Sequence, residues 1–201
     1  MNEREKQAIV SKEKIINVAL EEFAINGFKA TSTNTICKKA KISKGLLYHY
    51  YESKEVLYLN VLQHIIDKFK ENVTIEIEDK NKKGINYISE HFNRKFKFVR
   101  ENPLYSKVIE NTILDNMEST KEMIKEFEDY NNTLIYEVIK NVEINPKFDR
   151  EKAFELIVII GEKLEEKHLK SIDSVDKESA IEEFRRDHKL MIEMVFEGID
   201  K

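Results

Sequence analysis

The sequence predicts an all-α protein, with a front part of short helices followed by a longer helical rear part. Its 201 residues include only five glycines and two prolines, so few residues interrupt a helix. Apolar residues recur three and four positions apart through most of the chain, which is the spacing of one helix face. Residues that cap helices stand between these stretches.

The front of the chain is predicted to form four helices, at about 12–25, 33–40, 44–51 and 54–75. Gly27 follows the first helix as a left-handed C-cap, and Phe28 to Thr31 form a connection. Ser32 and Thr33 are the N-cap candidates for the second helix, and Ser43 caps the third. A polar run, Glu76 to Gly84, then separates the front of the chain from the rear.

The rear of the chain is predicted to form five further helices, each with its own apolar stripe. Their predicted first residues are Ile85, Leu104, Met117, Asp149 and Asp176. Pro103 separates the first two of these helices, and Asn145-Pro146 ends the third. The predicted domains are therefore 1–53 and 54–201, with the helix at 54–75 connecting the two.

The composition indicates a folded chain that does not span a membrane. Hydrophobic residues make up 41% and charged residues 36%, enough for a packed core beneath a charged surface. Cys37 is the one cysteine, which excludes an intramolecular disulfide and fits a reducing compartment. The N-terminus lacks the apolar segment of a signal peptide, and no apolar run approaches the roughly 18 residues that span a bilayer. We therefore expect a cytoplasmic protein.

Charge is distributed unevenly along the chain. Residues 1–60 contain ten of the 34 Lys and Arg residues but only seven of the 38 Asp and Glu residues, so the remainder is acidic. A basic front and an acidic rear indicate that only the front part meets a polyanion.

Two short helices joined by a tight turn, residues 33–51, and packed on a longer first helix match a helix-turn-helix. The recognition helix of this motif enters the DNA major groove with its N-terminus, which requires small and polar first residues. Ser43, Lys44 and Gly45 supply a hydroxyl, a cation and a close backbone approach. The sequence therefore predicts binding to double-stranded DNA.

Ring-bearing side chains follow in the same helix. Tyr48, His49 and Tyr50 each have an apolar body for a thymine methyl group or sugar and a polar tip for a phosphate or base edge. Lys54 begins the next helix, where its positive charge interacts unfavourably with the helix dipole. A nearby phosphate would reverse that balance.

Four segments of the front part stand in a characteristic order: Gly27-Phe28-Lys29-Ala30-Thr31-Ser32, Ala40-Lys41-Ile42-Ser43, Gly45-Leu46-Leu47-Tyr48-His49-Tyr50-Tyr51 and Ser53-Lys54-Glu55-Val56-Leu57. They resemble the pattern of the TetR family of one-component transcriptional regulators, which is Gly-Phe-x-Ala-Thr-Thr, Ala-Gly-Val-Ser, Gly-Thr-Leu-Tyr-x-His-Phe and Ser-Lys-Glu-x-Leu. The resemblance covers about residues 12–60. It implies a rear domain that binds a small-molecule effector.

Several residues depart from that pattern. Lys41 stands in place of the turn glycine, where a left-handed backbone costs a non-glycine residue roughly 1–2 kcal/mol. Either a phosphate contact offsets this cost or the turn differs. Leu46 replaces a threonine and offers an apolar contact to a thymine methyl group. Tyr50 replaces the usual histidine, and the resemblance implies that Tyr51 lies mostly in the core.

We expect a homodimeric repressor that binds a pseudo-palindromic operator and is released by a small molecule. The candidate DNA-binding residues are Ser32, Thr33, Lys41, Ser43, Lys44, Gly45, Leu46, Tyr48, His49, Tyr50 and Lys54. Aromatic residues of the rear helices either line an effector cavity or form an ordinary core, and these are Phe92, Phe96, Tyr105, Phe127, Tyr130 and Phe154. The last two helices can pair across a twofold axis as a four-helix bundle, through Ile157, Ile160, Leu164, Phe184, His188, Met191 and Val195.

Other functional classes find less support in the sequence. No catalytic constellation or phosphate-binding glycine loop is present, so an enzyme is not expected. His64, His91 and His168 lack the partners at metal-ligand spacing, so neither a metal nor a cofactor is expected. A protein-interaction scaffold and an activator without an effector stay open as alternatives.

Overall fold

A computed structural model describes residues 2–74, 84–140, 147, 149–171 and 177–197. These residues contain nine α-helices and no strand, which confirms the predicted all-α class. The helices are α1 Glu3–Ala30, α2 Thr33–Ala40, α3 Lys44–Tyr50, α4 Lys54–Val73, α5 Gly84–Glu101, α6 Pro103–Asp115, α7 Glu118–Lys140, α8 Arg150–Ser171 and α9 Lys177–Glu197. None of these helices is both long and apolar enough to cross a bilayer.

The first helix begins nine residues earlier than the predicted start at Lys12. Asn2 accepts a hydrogen bond from the Glu5 amide at 2.9 Å, and the Glu5 carboxylate accepts one from the Asn2 amide at 2.8 Å. This capping box satisfies two amides that a helix start otherwise leaves unpaired. The apolar stripe fades before this point, which is why hydrophobic spacing alone missed the first turns.

The C-terminal end of α1 also differs from the prediction. Gly27 has φ 69° and ψ 175°, a conformation that essentially only glycine adopts. The positive φ expected of Gly27 is present, but its ψ is not that of the predicted left-handed C-cap, so that prediction is wrong. Residues 28–30 form one helical turn after this kink, within the predicted connection from Phe28 to Thr31.

The predicted boundaries in the rear part agree with the structure where they can be compared. Pro103 occupies the first turn of α6, where its missing amide N–H costs nothing. Asp149 accepts a hydrogen bond from the Lys152 amide at 2.9 Å and so begins α8 as predicted. The predicted break at Asn145-Pro146, the cap at Asp176 and most of the predicted polar boundary lie outside the described residues.

The chain packs into two compact units, Met1–Lys68 with Asn102–Lys125 and Phe69–Glu101 with Glu126–Lys201. We call them the front unit and the rear unit. The division falls within α4 and α7, so the packing units do not coincide with the domain boundary at residue 53. The functional division into a DNA-binding and an effector domain stays a prediction.

The front unit has a core built by α1, α4 and α6. Phe23 and Phe28 both pack against the ring of Tyr58, at centroid distances of 4.7 and 5.1 Å. The hydroxyl of Tyr58 lies 2.7 Å from that of Thr112, and Asn111 donates hydrogen bonds to two carbonyls of α1. These contacts fix α6 against the helix that supports the helix-turn-helix.

The rear unit has its own core between α5, α8 and α9. Phe96 and Phe184 stack with their centroids 4.0 Å apart. Gly161 on α8 makes room for Phe92, since a Cβ atom at that position would lie 2.3 Å from Cε1 of the ring. A glycine in mid-helix is therefore a packing requirement here.

Candidate nucleic-acid interface

The turn between α2 and α3 is held by a left-handed residue. Lys41 has φ 54° and ψ 47°, and its amide donates to the carbonyls of Cys37 and Lys38. The Ile42 amide donates to the Cys37 carbonyl at 3.0 Å. This pattern is a Schellman motif, which satisfies the last carbonyls of α2. The backbone therefore keeps the conformation that the family pattern assigns to glycine, with a lysine in that place.

The N-terminus of α3 is capped by Ser43, as predicted. Its Oγ accepts a hydrogen bond from the Leu46 amide at 3.1 Å. Lys44 and Gly45 form the exposed first turn. Apart from the chain neighbours of Gly45, the only side chain of the described residues within 4 Å of the place of a Cβ on Gly45 is Ser43, so the backbone is open to a close approach there. Amides at a free helix start favour an anion such as phosphate.

The two faces of α3 are sharply different. Leu47 is buried and points into the front core, together with Tyr51 just after the helix. Lys44, Tyr48 and His49 are exposed and share the opposite face with Gly45. This division confirms that Tyr51 is a core residue and leaves one polar, ring-bearing face available for contact.

Tyr48 is oriented by its neighbours. Its hydroxyl lies 3.3 Å from Oγ1 of Thr33, and the ammonium group of Lys44 lies 5.8 Å from its ring centroid. The ring therefore bridges the start of α2 and the first turn of α3. Tyr50 is instead half-buried against the core, with Lys12 over its ring at 5.5 Å.

The helix-turn-helix carries positive charge that is only partly compensated. Residues 32–50 contain four lysines and no acidic residue. Lys39 pairs with the buried carboxylate of Glu22 at 2.5 Å, which raises the pKa of the lysine. Lys41 and Lys44 make no ion pair with any residue that the structure describes. Their charges are available to a polyanion.

Lys54 is placed differently from the other candidates. Its ammonium group donates to the carbonyls of Phe28, Lys29 and Thr31 at 2.8, 3.3 and 3.1 Å, and it lies 4.4 Å from the Phe28 ring centroid. All three of its N–H donors are used inside the front unit. The predicted phosphate contact would have to compete with these carbonyls, so we assign Lys54 first to the support of the motif.

The candidate Ser32 behaves as a cap, and the nearby Cys37 is a core residue. Ser32 accepts a hydrogen bond from the Asn34 amide at 3.3 Å and caps α2. Cys37 is buried, and burial raises the pKa of its thiol although the charge of Lys44 opposes this. A buried thiol with a raised pKa is unreactive.

The predicted effector-lining aromatics do not form one group. Phe92 and Phe96 are buried in the rear core, with Phe154 at its edge. Phe127 packs on Phe69 at 4.9 Å, and the Tyr130 hydroxyl is hydrogen-bonded to Thr74. The sixth residue, Tyr105, belongs to the front unit and lies beside His64.

A groove of about 370 Å³ opens on the surface of α5 and α9 in the rear unit, and none of the predicted aromatics lines it. Its lining residues are Asn86, Ser89, Glu90, Asn93, Arg94, Lys97 and Arg185. Arg94 is paired there with Glu90 at 2.5 Å. The side chains that line the groove are polar or charged, so it is not the aromatic cavity that was one of the two alternatives for the predicted aromatics.

Most of the predicted dimer residues are buried within the single chain. Their stripe packs against α5, and the buried members are Ile157, Phe184, His188 and Met191. Ile160 is 36% exposed and Leu164 is half-buried, while the side chain of Val195 lies outside the described residues. Sequence reasoning missed the apolar residues that are exposed on α8 and α9, namely Leu156, Ile159, Leu190 and Met194. Helical spacing finds an apolar face but does not say which helix covers it.

Comparison with known proteins places the helix-turn-helix in a family. Residues 15–61 match the model of bacterial regulatory proteins of the tetR family. The chain is 50% identical over 58 residues to the HTH-type transcriptional regulator YuxN of Bacillus subtilis, which is 28% of this chain and 20% of YuxN. It is 43% identical over 60 residues to the HTH-type transcriptional regulator QacR of Staphylococcus aureus, which is 30% of this chain and 32% of QacR. The matched part thus spans a third or less of these two relatives.

The whole fold also resembles solved structures. The transcriptional regulator FadR from Bacillus subtilis, in complex with stearoyl-CoA, has a TM-score of 0.70 over 94% of this chain and 99% of that chain. The sequence identity is 15%, so this similarity establishes the fold alone.

Proposed function

Because the chain belongs to the TetR family of bacterial regulatory proteins, we propose that it is a homodimeric repressor that binds operator DNA. The observation that carries this proposal is the exposed face of α3, where Lys44, Gly45, Tyr48 and His49 follow directly on the turn at Lys41. This face is basic, ring-bearing and open to backbone approach.

The proposed mode of binding places the N-terminus of α3 in the major groove. Lys41 and Lys44 neutralise phosphates, and the capped start of α3 offers its amides to a third. Tyr48 and His49 then reach base edges or sugars, while the half-buried Leu46 meets a thymine methyl group. Ser32 and Thr33 at the start of α2 contact the flanking backbone.

The proposed dimer uses the exposed apolar residues of α8 and α9. Leu156, Ile159 and Ile160 are spaced three and four apart on one helix face, and Leu190 and Met194 are four apart on the other. Exposed apolar residues that share a face indicate a surface that another chain covers. A twofold axis would then present two copies of α3 to half-sites one helical turn apart, roughly 34–36 Å.

The proposed regulation is release from the operator by a small molecule bound in the rear unit. A regulator of the same fold, FadR, is described in complex with stearoyl-CoA, which supports small-molecule control. The helix α4 begins at Lys54 beside the helix-turn-helix and ends at Val73, so it is a continuous element through which release can act. A ligand shifts the equilibrium only if it binds the two conformations with different affinities.

The experiment is titration of purified protein against labelled DNA from upstream of its coding region, with scrambled DNA as the control, across a salt series. We expect preferential binding to the upstream DNA, with log affinity falling linearly with log salt. Lys44→Ala combined with Tyr48→Ala is expected to weaken specific binding by about 100-fold and to reduce the salt slope by about one. Lys121→Ala, an exposed lysine on α7, is the matched control and is expected to change neither value.

Three other outcomes are informative. Equal weak binding to both DNAs would place the operator elsewhere, and a genomic selection with the same protein would follow. Retained operator affinity in the double variant would exclude α3 as the reading helix. Absence of binding at low salt, with the dimer intact, would favour the protein-interaction scaffold.

A further inference from the structure

Two histidines in the rear core have ring nitrogens without a hydrogen-bond partner among the described residues. His91 on α5 and His188 on α9 are 2% and 1% exposed. Among the described residues, nothing bonds to either ring nitrogen of His91, to Nε2 of His188 or to Oδ1 of Asn131 on α7. The Asn131 side chain lies close enough to His91 to act on the pKa of its ring as a hydrogen-bond partner, in the raising direction, although the contact falls short of full hydrogen-bond geometry.

His168 shows that burial alone does not cause this. It is also 1% exposed and lies in the same unit, yet its Nε2 is 3.1 Å from a carboxylate oxygen of Asp187. Buried polar side-chain atoms in native proteins almost always have a partner. Unpartnered atoms from three different helices, α5, α7 and α9, therefore mark a place where an ordered water or a ligand can be bound.

The surroundings of the two imidazoles are aromatic. The Phe92 ring centroid lies 4.3 Å from that of His188 and 5.6 Å from that of His91. Phe184 lies 5.6 Å from His188 and continues into its stack with Phe96. Apolar walls with a few polar groups are typical of small-molecule sites.

Phe92 occupies the space that a ligand would need. Its ring touches both histidines and fits against the bare backbone of Gly161. Displacement of this one side chain would open a space of about one aromatic ring and expose the unpartnered atoms. A pocket that is closed in the free protein and opened by its ligand is a known mode of binding.

The electrostatics favour an uncharged ligand. Burial lowers the pKa of His91 to about 4, with a further contribution from the charge of Lys95, and burial with the proximity of His91 lowers the pKa of His188 to about 3. Both rings are neutral at pH 7, and a neutral imidazole donates from one nitrogen and accepts at the other. Lys95 is itself paired with the buried carboxylate of Glu165 at 3.0 Å, so it does not attract an anion.

We propose that His91, Asn131 and His188 bind a small uncharged ring compound bearing a hydroxyl group, of the phenol class, which takes the place of the Phe92 ring. A hydroxyl group both donates and accepts, so it matches a neutral imidazole on one side and the Asn131 carbonyl on the other. The inference rests on the proposed regulation of this protein by a small molecule, and it names the chemistry of that molecule.

The test compares phenol with toluene, which has the same shape but no hydroxyl group. We expect calorimetric titration of the full-length protein to give phenol an affinity about tenfold or more above that of toluene. In His188→Phe this ratio is expected to fall to about one, because the ring space is kept while the polar partner is lost. His91→Leu serves as a second variant if His188→Phe does not fold.

His168→Phe is the control, since it alters a buried histidine that already has a partner, and its phenol-to-toluene ratio is expected to match the wild type. Equal affinities for the two compounds, no binding of either, or a ratio unchanged in His188→Phe and His91→Leu would each overturn the proposal. Operator affinity is measured separately with and without phenol. Phenol binding without a change in operator affinity would keep the site and reject the proposed release.

Discussion

The front unit pairs its buried polar groups, whereas the rear unit leaves several of them unpaired. In the front unit, Thr31 donates to the carbonyls of Glu22 and Gly27, and Thr112 is bonded to Tyr58. In the rear unit, the buried rings of His91 and His188 have unpartnered nitrogens. Every such buried atom that the described residues contain lies in the rear unit.

This difference matches two kinds of work. A surface that reads DNA needs one fixed arrangement, and fully bonded polar contacts select a single arrangement over others. A site that takes up and releases a ligand needs polar atoms that its own chain does not satisfy. Four changes would break or sharpen the comparison.

The largest expected effect is that of acid on the rear unit. His91 and His188 have folded-state pKa values of about 4 and about 3, below the ordinary value near 6.5. The contribution of these neutral rings to the free energy of unfolding is therefore fully present above pH 6.5. It is lost as the pH falls towards the folded-state pKa values, because the unfolded chain binds the protons first. Between pH 7.5 and 5.5 we expect the two rings to lower the free energy of unfolding by about 3 kcal/mol in total.

Urea unfolding at the two pH values measures this loss. The double variant His91→Leu/His188→Phe is the reference, and we expect its stability to change by correspondingly less over the same range. Parallel pH profiles for the two proteins would show that the rings do not stay neutral in the folded protein.

The next effect concerns the front unit, where removing one member of a hydrogen-bonded pair leaves the other member buried without a partner. Thr112→Val leaves the hydroxyl of the fully buried Tyr58 without its partner. We expect the free energy of unfolding in urea to fall by about 2 kcal/mol. Adding Tyr58→Phe removes the stranded group and is expected to recover most of that loss. A double variant no more stable than Thr112→Val would mean that packing, not hydrogen bonding, determines the cost.

The third change sets two equally buried histidines of the rear unit against each other. His168→Phe removes the contact with Asp187 and is expected to lower the free energy of unfolding by about 1 kcal/mol. His188→Phe removes an atom without a partner and is expected to raise it by a similar amount, measured at pH 7.5. If the free energy of unfolding changes in the same direction in both variants, hydrogen bonding of the ring does not determine the effect of replacing a buried histidine.

The smallest effect is expected at the turn of the helix-turn-helix. Lys41→Gly relieves a left-handed backbone and is expected to stabilise the protein by about 1 kcal/mol. If Lys41 binds a phosphate, the same variant loses operator affinity and its salt slope falls by about one. Lys38→Gly, on the same helix but at negative φ, is the control and is expected to destabilise. If Lys41→Gly is instead less stable than the wild type, contacts of the Lys41 side chain outweigh the cost of its left-handed backbone.

Features with local causes could be predicted from the sequence. The need for a positive φ at position 27 and the cap at Ser43 each depend on a few neighbouring residues, whereas the burial of Tyr51 followed from the resemblance to the family pattern. The sequence left open whether the turn at Lys41 keeps the left-handed conformation or differs from it. The backbone angles of the structure show that it is kept.

Features that depend on distant packing could not be predicted. The stripe containing Phe184 and His188 was identified correctly as apolar, and within the chain it packs against α5. The unpaired state of His91 depends on what α7 and α9 bring close to it. Neither follows from spacing along one helix.

Lys54 has a mechanical consequence for any repressor built this way. From the first turn of α4, its ammonium group donates hydrogen bonds to the carbonyls of Phe28 and Thr31 at the end of α1. We therefore expect a rotation of α4 to be transmitted directly to α1. In the proposed release we then expect the helix-turn-helix to turn as one rigid unit. Release from the operator would then change the angle between the two helix-turn-helix motifs of the proposed dimer without distorting either motif. Amide hydrogen exchange within each motif would be the same in the bound and released states.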